Sequence, residues 1–183
     1  RYLLNRVSTA VTDEDGNAGT TDDRVTTYYS YDSHGNVEWV VSALPGMTSP
    51  VKVDYEYDLI TGKVMQMNYQ RGYQDRYFVK YAYDADLRVT EVKTSTDSVI
   101  WERDAGYAYY AHGPLQRMAL GQEKVSGVDH AYTIHGWLKG INHPLLDNAN
   151  DPGNDGGGGS DYPKDAFGMT LSYYANDFVK SGS

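Results

Sequence analysis

Residues 29–37 read Tyr-Ser-Tyr-Asp-Ser-His-Gly-Asn-Val, and the same order of residue types returns four more times along the chain. Tyr55-Glu56-Tyr57-Asp58 runs on to Gly62 and Val64 with one extra residue in the turn, and Tyr81-Ala82-Tyr83-Asp84 runs on to Leu87 and Val89. Tyr107-Ala108-Tyr109-Tyr110 is followed by Gly113 and Leu115, and Ala131-Tyr132-Thr133 by Gly136 and Leu138. The second tyrosines stand at 31, 57, 83, 109 and 132, spacings of 26, 26, 26 and 23. A carboxylate, an imidazole and two phenols in nine residues suggest a catalytic wall, but a near-constant interval over five copies identifies a structural repeat.

Each copy predicts a β-hairpin. Before the turn, residues such as Val53, Tyr55 and Tyr57 alternate with Asp54, Glu56 and Asp58, the period-2 signature of a strand with one packed face. Asp32, Asp58 and Asp84 stand where a short side chain can accept bonds from backbone N–H groups two or three residues on. Gly35, Gly62, Gly113 and Gly136 supply the positive φ that closes a four-to-five-residue loop. In the third copy Leu87 replaces glycine, so Asp86 or Leu87 is expected to carry the awkward angle, or the loop to take another form. The chain then returns through stretches such as Val37-Glu38-Trp39-Val40-Val41, and Pro45-Gly46, Pro50, Gly72 and Gly121 break the links between hairpins.

Composition agrees. Of the 183 residues 18 are Tyr against 3 Phe, and tyrosine suits strands in which a ring packs while its hydroxyl reaches a partner. The fold class expected is all-β, an array of antiparallel hairpins. A net charge of -9 with only 16 scattered Lys and Arg residues argues against nucleic acid and anionic membrane surfaces. No apolar run reaches the roughly 18 residues of a membrane span, and no stretch has a signal-peptide layout. Cysteine is absent, which removes disulfide and thiol chemistry. Beginning at Arg1, the chain reads as a piece of a longer one.

The pattern Y-x-Y-D-x-x-G-x-[LV] resembles the YD repeat of the Rhs family, found also in the C components of insecticidal toxin complexes and in teneurins. The resemblance covers residues 24–142. It extends to Asp165-Ala166-Phe167-Gly168-Met169-Thr170-Leu171-Ser172-Tyr173-Tyr174, which, like His135-Gly136-Trp137-Leu138-Lys139-Gly140-Ile141-Asn142, looks like stretches of Rhs proteins from Bacteroidetes-type bacteria. What the resemblance implies is a curved, shell-like sheet of hairpins that encloses a C-terminal toxin polypeptide, in a protein secreted from or displayed on a bacterial cell. Partners would be the neighbouring Rhs repeats and the enclosed toxin. On this reading residues 1–146 form the hairpin array, 147–163 a flexible Gly/Asp-rich loop, and 164–183 a further strand of the same shell. One sheet face is expected to hold the tyrosines, Trp39, valines and methionines, with Glu38, Glu56, Lys80 and Glu91 turned away from it.

No catalytic, cofactor or metal residues are assigned. His34, His112 and His135 each precede a turn glycine, but hairpins in register would set the rings roughly 10 Å apart, too far to share an ion. Asp13-Glu14-Asp15-Gly16-Asn17 has the start of a calcium loop, yet Ala18 and Arg24 stand where glycine and glutamate are needed. Residues 147–161 place four Asp among Gly, Asn and Pro, a composition that could catch calcium but reads better as a mobile loop, and Gly156-Gly157-Gly158-Gly159-Ser160 matches a designed linker. No phosphate-binding loop, nucleophile elbow or H-E-x-x-H motif occurs. The expectation is a protein that is not an enzyme. The alternative reading is an adhesin-like module that binds a surface glycan or protein by stacking on Trp101 or Trp137.

Overall fold

The computed structural model describes residues 6–10 and 24–174. The candidate calcium loop at 13–24 falls almost wholly outside them. The described residues are all-β, with strands β1 (Arg6–Ala10), β2 (Arg24–Tyr31), β3 (Val37–Ala43), β4 (Val51–Tyr57), β5 (Val64–Tyr69), β6 (Tyr77–Tyr83), β7 (Val89–Ser95), β8 (Glu102–Tyr109), β9 (Leu115–Leu120), β10 (Ser126–Tyr132), β11 (Leu138–Ile141) and β12 (Met169–Thr170). The chain divides into two compact units. The first holds β1 to β6 and the second β8 to β12, while β7 contributes Val89–Val92 to the second and its remaining residues to the first. Within each unit every strand pairs antiparallel with its neighbour in sequence.

One turn geometry recurs through all five repeats. Asp32 N–H donates to the Asn36 carbonyl and Gly35 N–H to the Asp32 carbonyl, at 2.9 and 3.1 Å. The same two bonds link Asp84 with Arg88 and Leu87, Tyr110 with Pro114 and Gly113, and Thr133 with Trp137 and Gly136. In the second repeat the extra residue moves the partners to Lys63 and Gly62. The closing residues all have positive φ, from 68° at Gly62 to 117° at Gly113, and Leu87 takes 61° in its copy. A Cβ in that region costs about 1–2 kcal/mol, which the greater freedom of glycine in the unfolded chain partly offsets. Leu87→Gly is therefore expected to raise stability by up to about 1 kcal/mol in a denaturant melt.

The second tyrosines Tyr31, Tyr57, Tyr109 and Tyr132 sit at β-bulges. Tyr31 lies opposite Val37 and Ser30 opposite Trp39, leaving Glu38 over; likewise Tyr57 faces Val64, Tyr109 faces Leu115 and Tyr132 faces Leu138. Residues directly opposite share a face. In the first unit, one row runs Tyr29, Val40, Val53, Tyr69, Tyr77, and a second runs Tyr55, Met67, Val79. The other face carries Ser30, Trp39, Asp54, Asn68 and Phe78. Trp39 thus does not join the tyrosine face as expected, because the bulge at Glu38 inserts one residue and reverses the alternation after the turn. The Lys52 ammonium stands 5.9 Å from its ring. Glu38, Glu56 and Lys80 are exposed, and Glu91 is half-buried.

The apolar core is thin. Among the described residues only Phe78, Val79 and Ala105 are buried hydrophobics, while Asn68, Asp129, Asp151 and Asp155 are among the buried polar groups. Asn68 is satisfied by Gln66 Nε2 at 2.6 Å and by Glu56 Oε1 at 3.0 Å. With so little apolar burial, cohesion rests on the strand ladders and on side chains bonded to backbone, which gives the repeat tyrosines their importance.

Candidate functional site

The repeat residues define the first functional feature. At the turns, Asp32 Oδ1 accepts from the backbone N–H of His34 and Asn36, both at 2.8 Å. Asp58 Oδ2 accepts from the N–H groups of Ile60 and Thr61 and from the Thr61 hydroxyl. Asp84 Oδ1 accepts from Asp86 and Arg88 N–H, and its Oδ2 pairs with Arg88 Nε at 2.8 Å. In the fifth copy Thr133 Oγ1 takes the Trp137 N–H at 3.2 Å. These carboxylates are turn caps, and the bonds hold all three below the usual carboxylate range, led by the side chain of Asn36 at Asp32, the side chain of Thr61 at Asp58 and the backbone of Arg88 at Asp84.

A lowered folded-state pKa means that the stabilisation is complete above the unfolded value near 3.8 and is lost as pH falls below it and through the lower folded-state value. The melting temperature should therefore fall steeply below about pH 4. A variant carrying Asp32→Asn, Asp58→Asn and Asp84→Asn should melt lower at pH 7 and show a shallower acid limb; an unchanged limb would remove the caps from the account.

The second tyrosine joins one hairpin to the one before it. Tyr57 Oη donates to the Val37 carbonyl at 2.9 Å, Tyr83 Oη to Val64 at 2.7 Å and Tyr109 Oη to Val89 at 2.7 Å. Each acceptor is the first residue after the preceding turn, which the bulge leaves partly outside the strand ladder. Tyr173 Oη makes the same bond to Leu138 at 2.8 Å, which identifies Leu171-Ser172-Tyr173 as a sixth copy of the motif with β12 at its start. In the fourth turn, where Tyr110 replaces Asp, its hydroxyl reaches forward to the His130 carbonyl at 2.9 Å. Removing one such hydroxyl costs about 1 kcal/mol. Tyr83→Phe should lower unfolding free energy by that amount in urea, and an effect indistinguishable from zero would show that the bond adds nothing to solvation.

Each of the three histidines has its own neighbours. His34 is exposed and lies 3.9 Å from Asp32, the His112 ring stacks on Tyr110 at 5.2 Å, and His135 packs beside Trp137 at 5.8 Å. Of the two proposed stacking platforms, Trp101 already has the Lys80 ammonium 3.9 Å from its ring, whereas Trp137 is about half exposed beside Tyr173, at 5.2 Å.

The second feature was invisible to motif reading. On β8, β9 and β10 the rows Gly106, Ala119, Gly127 and Ala108, Arg117, Asp129 share one face, so small residues surround a single long cation. The segment 147–165 lies on this bed. Arg117 Nη2 donates to both oxygens of Asp155 at 2.7 and 2.8 Å, Nη1 pairs with Asp129, and the guanidinium lies 4.5 Å from the Tyr162 ring centre. Lys124 pairs with Asp161. The segment also closes on itself: Asp151 Oδ2 accepts from Gly153 and Asp155 N–H, and Gly156 N–H donates to the Tyr162 carbonyl.

The composition of residues 147–163 therefore misleads in part. Asp151 and Asp155 are buried instead of solvated, and the first two glycines of the Gly156 to Ser160 run are crowded: a Cβ on Gly156 would come within 2.7 Å of Lys164, and one on Gly157 within 2.2 Å of Asn154, whereas Gly158 and Gly159 are open. Glycine is common there for lack of room as well as for flexibility.

Charge is crowded at this site. Burial works against the Arg117 cation, but its hydrogen bonds to Asp155 and Asp129 outweigh that and raise its pKa further. Burial pushes Asp129 up, with Arg117 offsetting part of the rise. Asp165, held by Asn142 Nδ2 at 2.8 Å, is pushed up to about 7 by burial and then by the carboxylate of Asp151.

The class defined by these features is an all-β array of antiparallel hairpins, in which the hydroxyls of Tyr57, Tyr83, Tyr109 and Tyr173 each bond a carbonyl of the preceding hairpin. Among solved structures, it is similar to a chain in the crystal structure of a TcdB2–TccC3–Cdc42 complex, with a TM-score of 0.54 and 15% identity over 66% of this chain. This chain spans about 6% of the length of that one, and at such identity the likeness is one of fold. No family model and no curated protein matches the sequence. Among the described residues no helix is long and apolar enough to cross a membrane.

Proposed function

We propose that the chain is a wall segment of an Rhs-type β-shell, whose role is to enclose a toxin or effector polypeptide before its delivery outside a bacterial cell. The observation that carries this reading is the tyrosine-to-carbonyl bond made at Tyr57, Tyr83, Tyr109 and Tyr173. Because each hairpin presents the acceptor that the next one needs, such a sheet extends by adding identical units, as a long wall requires. The likeness to a chain of a toxin complex supports the same reading at the level of fold. Its partners are neighbouring repeats and the enclosed polypeptide. It has no catalytic role of its own, since the repeat carboxylates are engaged as caps. Cryo-EM of the full-length protein tests the proposal: a closed shell around internal density is expected, and a filled or open solenoid would overturn it.

A second reading rests on one specific surface. Tyr132, Ile134, His135, Trp137, Lys139 and Tyr174 line an open groove in the second unit, and Ile134 and Tyr174 are largely exposed. Ring faces beside a lysine suit a glycan with an acidic group. Tryptophan fluorescence titrated with polysaccharides distinguishes the readings: a saturable change lost in Trp137→Ala would favour an adhesin-like module, and a flat response leaves the shell.

A further inference from the structure

Asp129, Asp151 and Asp155 are 4%, 8% and 1% exposed, and each offers an oxygen within 4.8 Å of the others. Arg117 supplies one positive charge against these three carboxylates, leaving a buried excess of two negative charges before Asp165 is considered. Buried charge of that size is costly unless something neutralises it. Hydrogen bonding does not finish the task. Asp155 uses both oxygens on Arg117, and Asp151 Oδ2 is taken by two backbone N–H groups, but Asp151 Oδ1 is buried and meets no N–H or hydroxyl donor.

We propose that Asp129, Asp151 and Asp155 form a binding site for a divalent cation, with the vacant Oδ1 of Asp151 as its principal ligand and Asp165 as a fourth carboxylate at its margin. The donors are all oxygen, which selects hard cations, and Ca²⁺ fits best because it tolerates irregular carboxylate sets and completes its shell with water. Ligand oxygens held about 2.3–2.6 Å from a common ion lie no more than about 5 Å apart, the separation observed here. Arg117 occupies one flank and repels the ion, so affinity belongs in the range of about 10⁻⁴–10⁻³ M characteristic of extracellular modules. The site joins β10 to the segment 147–165, so the ion and Arg117 together fasten that segment to the sheet. This inference does not depend on whether the array forms a shell.

The test is titration of the chelator-treated protein with CaCl₂, followed by calorimetry and by the luminescence of Tb³⁺ as a calcium substitute sensitised by nearby Tyr162. One saturable ion per chain and a rise in melting temperature are expected. Asp151→Asn should weaken binding at least about tenfold, as loss of a ligand does, while Asp161→Asn, at the exposed Lys124 pair, leaves it unchanged. The wild-type measurement guards against a variant that fails to fold. Absence of saturable binding of Ca²⁺, Mg²⁺ or Mn²⁺ up to about 10 mM, well above the expected range, would overturn the site. Binding unaffected in folded Asp151→Asn would overturn it equally.

Discussion

Arg117→Ala is expected to lower the unfolding free energy of the protein by about 3–5 kcal/mol, the usual cost of stranding buried carboxylates. Asp155 is fully buried and has both oxygens on the guanidinium, and Asp129 is almost as deeply placed. Without the cation the two carboxylates must take up protons or draw water beneath the segment 147–165. The loss should therefore be local before it is global. Hydrogen exchange should accelerate at the amides of Gly153, Asp155 and Gly156, whose bonds close the segment, while the turns of the first unit keep their protection. Arg117→Lys should recover only part of the loss, because one ammonium cannot replace the two guanidinium nitrogens that reach Asp155 and Asp129 separately. Equal exchange in Arg117→Ala and wild type would show that the segment is held by other contacts.

Gly127→Ala should cost nearly as much, about 2–3 kcal/mol, although it adds one methyl group. Its Cβ would lie 2.0 Å from Arg117 Nη2 and 2.2 Å from Asp155 Oδ2. The end of an arginine normally swings aside at little cost, but here it is pinned by two carboxylates and stacked against Tyr162, so moving it breaks the same pairs. The two substitutions should thus be strongly non-additive. In an Arg117→Ala background most of the Gly127→Ala penalty should disappear, and a double-mutant cycle by denaturant unfolding measures the coupling. Additive effects would mean that the methyl group disturbs the strand and not the ion pair.

The two features of this protein differ in how far they could be read in advance. The turns were legible because every element of them is local. An Asp, a residue of positive φ and the strand on either side lie within about six residues, so Asp32, Asp58 and Asp84 were recognisable as caps, while only the structure placed the positive φ of the third turn at Leu87 and not at Asp86. The second tyrosines were recognisable as repeat positions, but not as donors to Val37, Val64 and Val89, because those bonds span 20, 19 and 20 residues. The face of Trp39 was misjudged for a similar reason. Strict alternation places it with the tyrosines, and only the bulge at Glu38, a property of paired strands, places it opposite.

The Arg117 site left no trace in spacing. Arg117 and Asp155 are 38 residues apart, and Asp165 is more distant still. The acidic, glycine-rich stretch from 147 to 161 has the composition of a loop in water, and composition carries no information about what lies beneath it. The small residues Gly106, Ala119 and Gly127 were the available signal, but small side chains in strands usually mark nothing more than a weak stretch.

The amino-acid order by itself therefore determined that the chain is all-β, that it is built from repeated hairpins and where each hairpin turns, since periodicity and turn chemistry act over a few residues. Tertiary structure alone decided which carbonyl each of these tyrosines meets, which face Trp39 occupies, and that Asp129 and Asp155 meet on one arginine with Asp151 beside them. Register and burial are properties of chains brought side by side, and they convert residues that look solvated in sequence into partners that hold one another.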